Sequence, residues 1–114
     1  MNANLVKVMG IFFVFLGELF AVYAETFAVK YGFFTSGFWR LIIIMTLGGI
    51  LLVSGYILGY SAYKNLWIIT VISIATLLIA EPLIIIFFFH QTPTTGALIG
   101  FILGIIGLIS SIFF

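Results

Sequence analysis

The sequence predicts an all-α integral membrane protein: one domain over residues 1–114, with four transmembrane helices joined by short loops. The first observation is composition, since 65% of the residues are hydrophobic and only 6% are charged. Soluble domains are about 45–50% apolar and about 25% charged, so lipid must be the solvent of this chain. The second is length, because about 20 residues span a bilayer and 114 residues therefore hold four helices. The apolar runs do not alternate, and four strands cannot close a barrel, so strands are not expected.

Breaks in the apolar pattern set the expected helix boundaries. Glycines with Thr35 and Ser36 interrupt the first long run, and the polar turns YKN and HQTPTT interrupt the later ones. The helices are expected at about residues 5–31, 39–62, 66–89 and 95–114. Pro82 lies inside the third, whereas Pro93 lies where a helix start accepts proline. The first run is too long for a signal-peptide core and has no A-x-A-like site after it, so we expect a retained helix.

Acids and bases occupy different depths in this pattern. The three acids all lie inside apolar runs: Glu18, Glu25 and Glu81. The four bases lie at the ends of runs: Lys7, Lys30, Arg40 and Lys64. A charge at the centre of a transmembrane helix costs roughly 2.5–3.5 kcal/mol on insertion scales, and such residues generally mark functional sites. The acids therefore predict an acidic interior with a function.

The bases also bear on orientation. An even number of spans puts both termini on one side, where Lys7 and Lys64 lie, while Lys30 and Arg40 flank the other side. Two bases against two leave no positive-inside bias. Balance of this kind permits dual topology with antiparallel pairing, although four charges are few, and a fixed orientation is the alternative. We expect a multi-pass protein of the cell (inner, cytoplasmic) membrane.

Helical geometry brings the acids together if the first and third helices are neighbours. Glu25 and Glu81 are then at similar depth, and Glu18 is seven residues from Glu25 on the same stripe, roughly 10 Å away. Thr70 and Ser73 share a face of the third helix with Glu81. We expect one acidic seam that enters from the side of Lys30 and Arg40.

Buried carboxyl groups favour their protonated form, and several together release protons as a coupled set, which suits exchange of a proton for a cation. Glu18 is the best candidate because it lies deepest. Glu81 is second, because Pro82 removes a helix hydrogen bond and frees a carbonyl. Structural roles remain open for both, and Glu25 is near enough to the interface to pair with a base or to snorkel.

Tyr56 lies deeper than the other tyrosines of its helix and is a candidate to close over a cationic ligand. Two stripes of glycine predict close helix packing. One is on the second helix, at Gly48, Gly55 and Gly59. The other is on the fourth helix, at Gly96, Gly100, Gly104 and Gly107, and is our candidate for a dimer contact.

Several function classes are disfavoured. The chain has no cysteine and a single histidine, so no metal site or cofactor is expected. No set of Ser, His and Asp can be assembled, because the chain has no aspartate, and we expect no enzyme. A net charge of +1 argues against a nucleic-acid partner.

The chain resembles a known family in two places. Four spans in this length, a glutamate in the first helix and a glycine-striped last helix resemble the small multidrug resistance proteins. The stretch LLIAEPLIIIFFFHQTPTTGALIGFILGIIGLI, about a third of the chain, is similar to the last two helices of the wider drug/metabolite transporter superfamily (EamA-like proteins). The family typically has one essential membrane glutamate, whereas here Glu18 matches by depth and Glu25 by its local sequence AETF. The tryptophan that these proteins have inside their third helix has no clear counterpart in this chain, where Trp67 lies at the start of that helix.

The resemblance implies a dimer with alternating access that exchanges substrate for protons. We therefore expect a proton-coupled exporter or exchanger of small cationic or amphipathic compounds, acting as a homodimer in the bilayer. Glu18, Glu81, Glu25, Tyr56, Thr70 and Ser73 are the expected substrate and proton site. Two alternatives remain: a flippase subunit for lipid-linked sugars, and an accessory protein that transports nothing.

Overall fold

The computed structural model describes residues 2–114, and this part of the chain folds into four α-helices without strands. The helices are α1 (Ala3–Tyr31), α2 (Ser36–Tyr63), α3 (Leu66–Phe89) and α4 (Thr95–Phe113). All four are long and apolar enough to cross a membrane. The predicted fold class, an all-α bundle of four transmembrane helices, is confirmed, and the chain is a multi-pass membrane protein.

Helix α2 begins three residues earlier than the glycine-rich pattern before it predicts. Thr35 caps it, because the threonine hydroxyl accepts a hydrogen bond from the Phe38 backbone N–H at 3.1 Å. Gly37, in the first turn of α2, leaves room for the ring of Tyr31. A β-carbon at this position would collide with that ring. The glycine that looks like a helix breaker is thus a packing residue.

The turns between helices are short and depend on left-handed backbone conformations. Gly32 ends α1 with φ of 67° and donates its N–H to the Ala28 carbonyl at 2.9 Å, a conformation that favours glycine. Lys64 ends α2 with φ of 59° and ψ of 26°, in the left-handed helical region. Asn65 follows at once as the cap of α3 and accepts from the Trp67 N–H at 2.9 Å. These turns keep consecutive helices antiparallel.

Helices α1 and α2 pack through facing glycines. A β-carbon built on Gly10 would lie 2.9 Å from the backbone nitrogen of Gly59, and one on Gly17 would lie 2.9 Å from the Gly48 carbonyl oxygen. On the other helix, a β-carbon on Gly55 would lie 2.8 Å from the Val14 nitrogen. The two backbones are therefore in direct contact, as small residues allow in lipid.

The helices form a flat arrangement, 43 × 34 × 17 Å across its Cα atoms, with α1 packed between α2 and α3. Helix α4 contacts only α3 within the described chain, and none of its residues is buried. Gly104 belongs to this contact, since a β-carbon built on it would lie 3.3 Å from a methyl carbon of Leu78. A β-carbon built on Gly96, Gly100 or Gly107 would have no neighbouring atom within 4 Å, so most of the α4 stripe faces outward.

Two glycines of α2 make a matched test of this packing. We expect Gly55→Ala to destabilise the protein by about 1–3 kcal/mol, because the added methyl group would overpack against Val14. Gly49→Ala has open space and should be neutral or stabilising by up to about 1 kcal/mol from helix propensity. Unfolding of the purified variants in detergent measures both changes, and equal stability of the pair would contradict the close α1–α2 contact.

Candidate functional site

Glu18 is the most deeply buried acid of the described chain and lies on the central helix. It is 8% exposed and shares the buried side of α1 with Val14, Ala21 and Val22. Tyr31 is 13 residues further along the helix, so Glu18 is roughly 20 Å from that end. Gly17, immediately before it, faces α2. One residue along a helix is a rotation of about 100°, which turns Glu18 away from α2 and towards α3.

Ser73 is the hydrogen-bond partner of Glu18. Its hydroxyl donates to the Glu18 carboxyl oxygen Oε1 across the α1–α3 contact, and both side chains are buried. Thr76 lies buried one turn further along α3, where its hydroxyl donates to the Ile72 carbonyl at 2.9 Å. Every buried side-chain oxygen and nitrogen among residues 2–114 has such a partner. The buried polar side chains between α1 and α3 therefore all have hydrogen-bond partners.

The other two acids lie together in a separate place. Glu25 and Glu81 line one cavity of about 290 Å³ between the C-terminal parts of α1 and α3. Thr26 and Gln91 also line it, and the Thr26 hydroxyl is bonded to the Val22 carbonyl at 2.7 Å. Glu25 is exposed and Glu81 is half-buried. The expected seam is thus divided into a buried group at Glu18 and an open outer pair.

The remaining predicted residues stand apart from these groups. Tyr56 on α2 and Thr70 on α3 are half-buried, and neither makes a side-chain hydrogen bond to an acid within the described chain. Neither lines the cavity that holds Glu25 and Glu81. Their part in a site stays a prediction.

Sequence reasoning missed three polar residues at these places: Thr76 in the buried group, and Thr26 and Gln91 in the outer cavity. Thr76 carries a signal, since it is three residues after Ser73 and so shares its helix face. Thr26 follows Glu25 directly and has no such spacing. Gln91 belongs to the turn after α3, whose path the helix pattern does not define.

An apolar groove runs along the outside of the α1–α3 contact. It has a volume of about 480 Å³, and its lining includes Phe15 and Leu19 of α1 together with Ile79 and Leu83 of α3. Thr76 is its polar member. A second cavity of about 340 Å³ lies between α3 and the start of α4, beside Pro82. The buried group therefore borders a surface suited to apolar chains.

The described residues contain no cluster of three or more His, Asp or Glu side chains placed to hold a metal ion. A serine hydroxyl can donate to an ionised carboxylate or accept from a protonated one, so the Glu18–Ser73 pair accommodates both states.

Comparison with known proteins adds no assignment. The chain matches no protein-family model, no curated protein and no solved structure. The resemblance to the small multidrug resistance proteins therefore stays a prediction, and the function is inferred from this chain's own side chains and their contacts.

The Ser73 bond has a measurable effect on stability. We expect Ser73→Ala to lower the free energy of unfolding by about 1–3 kcal/mol, because the buried Glu18 carboxyl loses its donor. Ser61→Ala is the control, since Ser61 is exposed on α2 and should change stability by less than about 0.5 kcal/mol. Chemical unfolding in detergent compares them. Equal stability of the two variants would mean that the Ser73–Glu18 hydrogen bond does not contribute to the free energy of unfolding.

Proposed function

We propose that this protein is a proton-coupled transporter that exchanges protons for small cationic or amphipathic compounds and catalyses no covalent reaction. The observation that supports the proposal is the position of Glu18. Its carboxyl group is buried near the middle of a membrane-spanning helix and is bonded to Ser73 on a neighbouring span. Ionisable groups at such depth generally serve ion or proton pathways.

Electrostatics supports the coupling. An ionised carboxylate alone in a low-dielectric surrounding is very costly, so an ionised Glu18 would need a positive charge beside it. A cationic substrate provides that charge, and reprotonation releases it. Proton and substrate therefore occupy Glu18 in turn. Ser73 holds the carboxyl group in place in both states, because its hydroxyl is both donor and acceptor.

Glu25 and Glu81 would act at the outer end of the same route. Their shared cavity lies closer to the helix ends than Glu18 does. Two carboxyl groups that face one cavity could hold a second proton or receive the cation first. Glu18 is then the coupling residue, and the outer pair supplies it. Tyr56 and Thr70 would line the route only after a rearrangement.

A second copy of the chain would complete the transport path. A single copy is only 17 Å deep in its thinnest direction, and three of the four α4 glycines have open space beside them. We propose that α4 pairs with its counterpart in a homodimer, either parallel or antiparallel, in the cell (inner) membrane. The mass of the purified protein in detergent and cross-linking in bilayers test this pairing, and a monomer in both would contradict it.

A second candidate function is favoured by the apolar groove along α1 and α3. The groove is open to lipid, and Thr76, one of its lining residues, belongs to the same buried face as Ser73. A lipid-linked sugar could lay its chain in such a groove while its polar head meets the acids. A flippase subunit of this kind would act on the lipid-linked compound and not on a soluble cation.

Transport by reconstituted protein tests the proposal. In liposomes with a pH gradient, we expect wild-type protein to move a lipophilic cation against its own gradient, and Glu18→Gln to abolish this movement, since the amide cannot carry a proton. Glu18→Gln should remain folded, because the amide oxygen still accepts from Ser73. Lys64→Gln, in the turn before α3, is the control and should transport normally.

Full transport by Glu18→Gln would contradict the proposal, and no transport by the wild-type protein would favour an accessory role. Movement of a lipid-linked sugar, with none of the soluble cation, would favour the flippase instead.

A further inference from the structure

The turn between α1 and α2 and the start of α2 carry a row of four aromatic rings. Neighbouring rings pair in the order Phe34, Phe33, Phe38 and Trp39, with centres 6.1, 5.6 and 5.5 Å apart. Three of these side chains are turned outward, since Phe33 is 73% exposed, Phe34 96% and Trp39 63%. A contiguous apolar patch of this kind generally marks contact with a membrane or with another protein.

The bases on α1 set the height of this aromatic patch in the bilayer. Lys7 and Lys30 are about 35 Å apart along a straight helix, which is enough to cover the roughly 30 Å of hydrocarbon. The turn follows Lys30 in the chain, so its rings lie at the level of the lipid headgroups. The acyl chains that surround the spans therefore do not by themselves account for the patch.

Phe34 is held in an unfavourable backbone conformation. Its φ is 63°, in the left-handed region that bulky side chains rarely adopt. Lys64 and His90 also have positive φ, but they cap the ends of α2 and α3, whereas Phe34 lies in the turn and caps no helix. Its side chain is almost fully exposed, so burial within the chain does not offset the cost. Backbone strain of this kind clusters at functional positions.

The charges around the patch indicate its partner. The segment from Lys30 to Arg40 holds two bases and no acid, and both bases are exposed. The acids of this end, Glu25 and Glu81, line the cavity between α1 and α3 instead. Anionic headgroups attract bases at the membrane surface, and amphipathic surfaces that combine bases with Trp and Phe lie in the interface. Rings and bases together therefore fit an anionic lipid surface.

We propose that the turn between α1 and α2 is an interfacial anchor for anionic lipid. Phe33, Phe34 and Trp39 insert at the boundary between the headgroups and the acyl chains, while Lys30 and Arg40 bind the lipid phosphates. The left-handed backbone at Phe34 turns its ring away from the chain and into that boundary. The anchor fixes the height of α1 and α2 in the bilayer, and it does not depend on the proposed transport.

Fluorescence of Trp39 in vesicles tests the anchor. The chain has two tryptophans, so Trp67→Phe leaves Trp39 as the only one. This full-length variant is placed in phosphatidylcholine vesicles with added phosphatidylglycerol, and one lipid at a time carries bromine near the head of its acyl chains as the quencher. We expect the anionic lipid to associate with the site about fivefold more tightly than the zwitterionic one for each base that binds it. Arg40→Gln should lower this preference about fivefold, whereas Lys7→Gln, at the other end of α1, should leave it unchanged.

Substitutions at Phe34 separate anchoring from folding. Phe34→Asn removes the ring and accepts a positive φ, so we expect its thermal stability in detergent to equal or exceed that of wild type. In vesicles, the same variant should show weaker quenching of Trp39 by both brominated lipids. Phe34→Tyr retains an aromatic ring and should be quenched as wild type is.

The proposal is overturned if brominated lipids do not quench Trp39. Quenching by aqueous acrylamide alone would place the patch in water, and quenching by neither agent would place it against protein, such as a second copy of the chain. Equal association of the two lipids would contradict the anionic partner. Unchanged quenching in Phe34→Asn would contradict the part assigned to that ring.

Discussion

The backbone contact between α1 and α2 is the constraint on which the rest of the arrangement depends. In lipid the hydrophobic effect does not drive helices together, so their association depends on van der Waals contact. Gly10, Gly17 and Gly55 let the two backbones approach more closely than larger residues would allow. Once α1 is held against α2 on that side, the next side of α1 must face α3. Glu18 lies there, and in lipid its carboxyl group needs a partner. Ser73 provides it, so the glycine contact and the buried polar pair follow from the placement of one helix.

The sequence predicts the four helices and the importance of Glu18, but not the contacts between helices. Uninterrupted apolar runs define four helices, because a spanning segment must satisfy its own backbone hydrogen bonds. The start of α2 was predicted too late, since the pattern cannot reveal that the Tyr31 ring covers Gly37. The sequence predicts the glycine stripe of α2 but not its partners Gly10 and Gly17, because two glycines alone do not define a stripe and the pattern does not show which face of α1 meets α2. Depth singled out Glu18, whereas its bond to Ser73 depends on which helices are neighbours.

The acids divide the bundle into an inner and an outer part with different chemistry. Glu18 has a fixed partner and little access to water, which suits one site that changes its proton only against another charge. Glu25 and Glu81 line an open cavity together with the Phe89 ring, which suits capture and release of a cation. Helix α4 takes no part in either, since it contacts α3 alone within the described chain. Its free glycine surface is what a second copy of the chain would use.

The proposed mechanism requires Glu18 to give up a proton when a cationic compound binds. Proton release from purified protein in weakly buffered detergent measures this directly, on addition of quaternary ammonium, guanidinium or polyamine compounds. We expect the wild-type protein to release protons and Glu18→Gln to release none. Glu25→Gln and Glu81→Gln should release fewer protons than wild type. No release from any compound, with the protein folded and its acids titrating, would contradict the account, as would release that Glu18→Gln leaves unchanged.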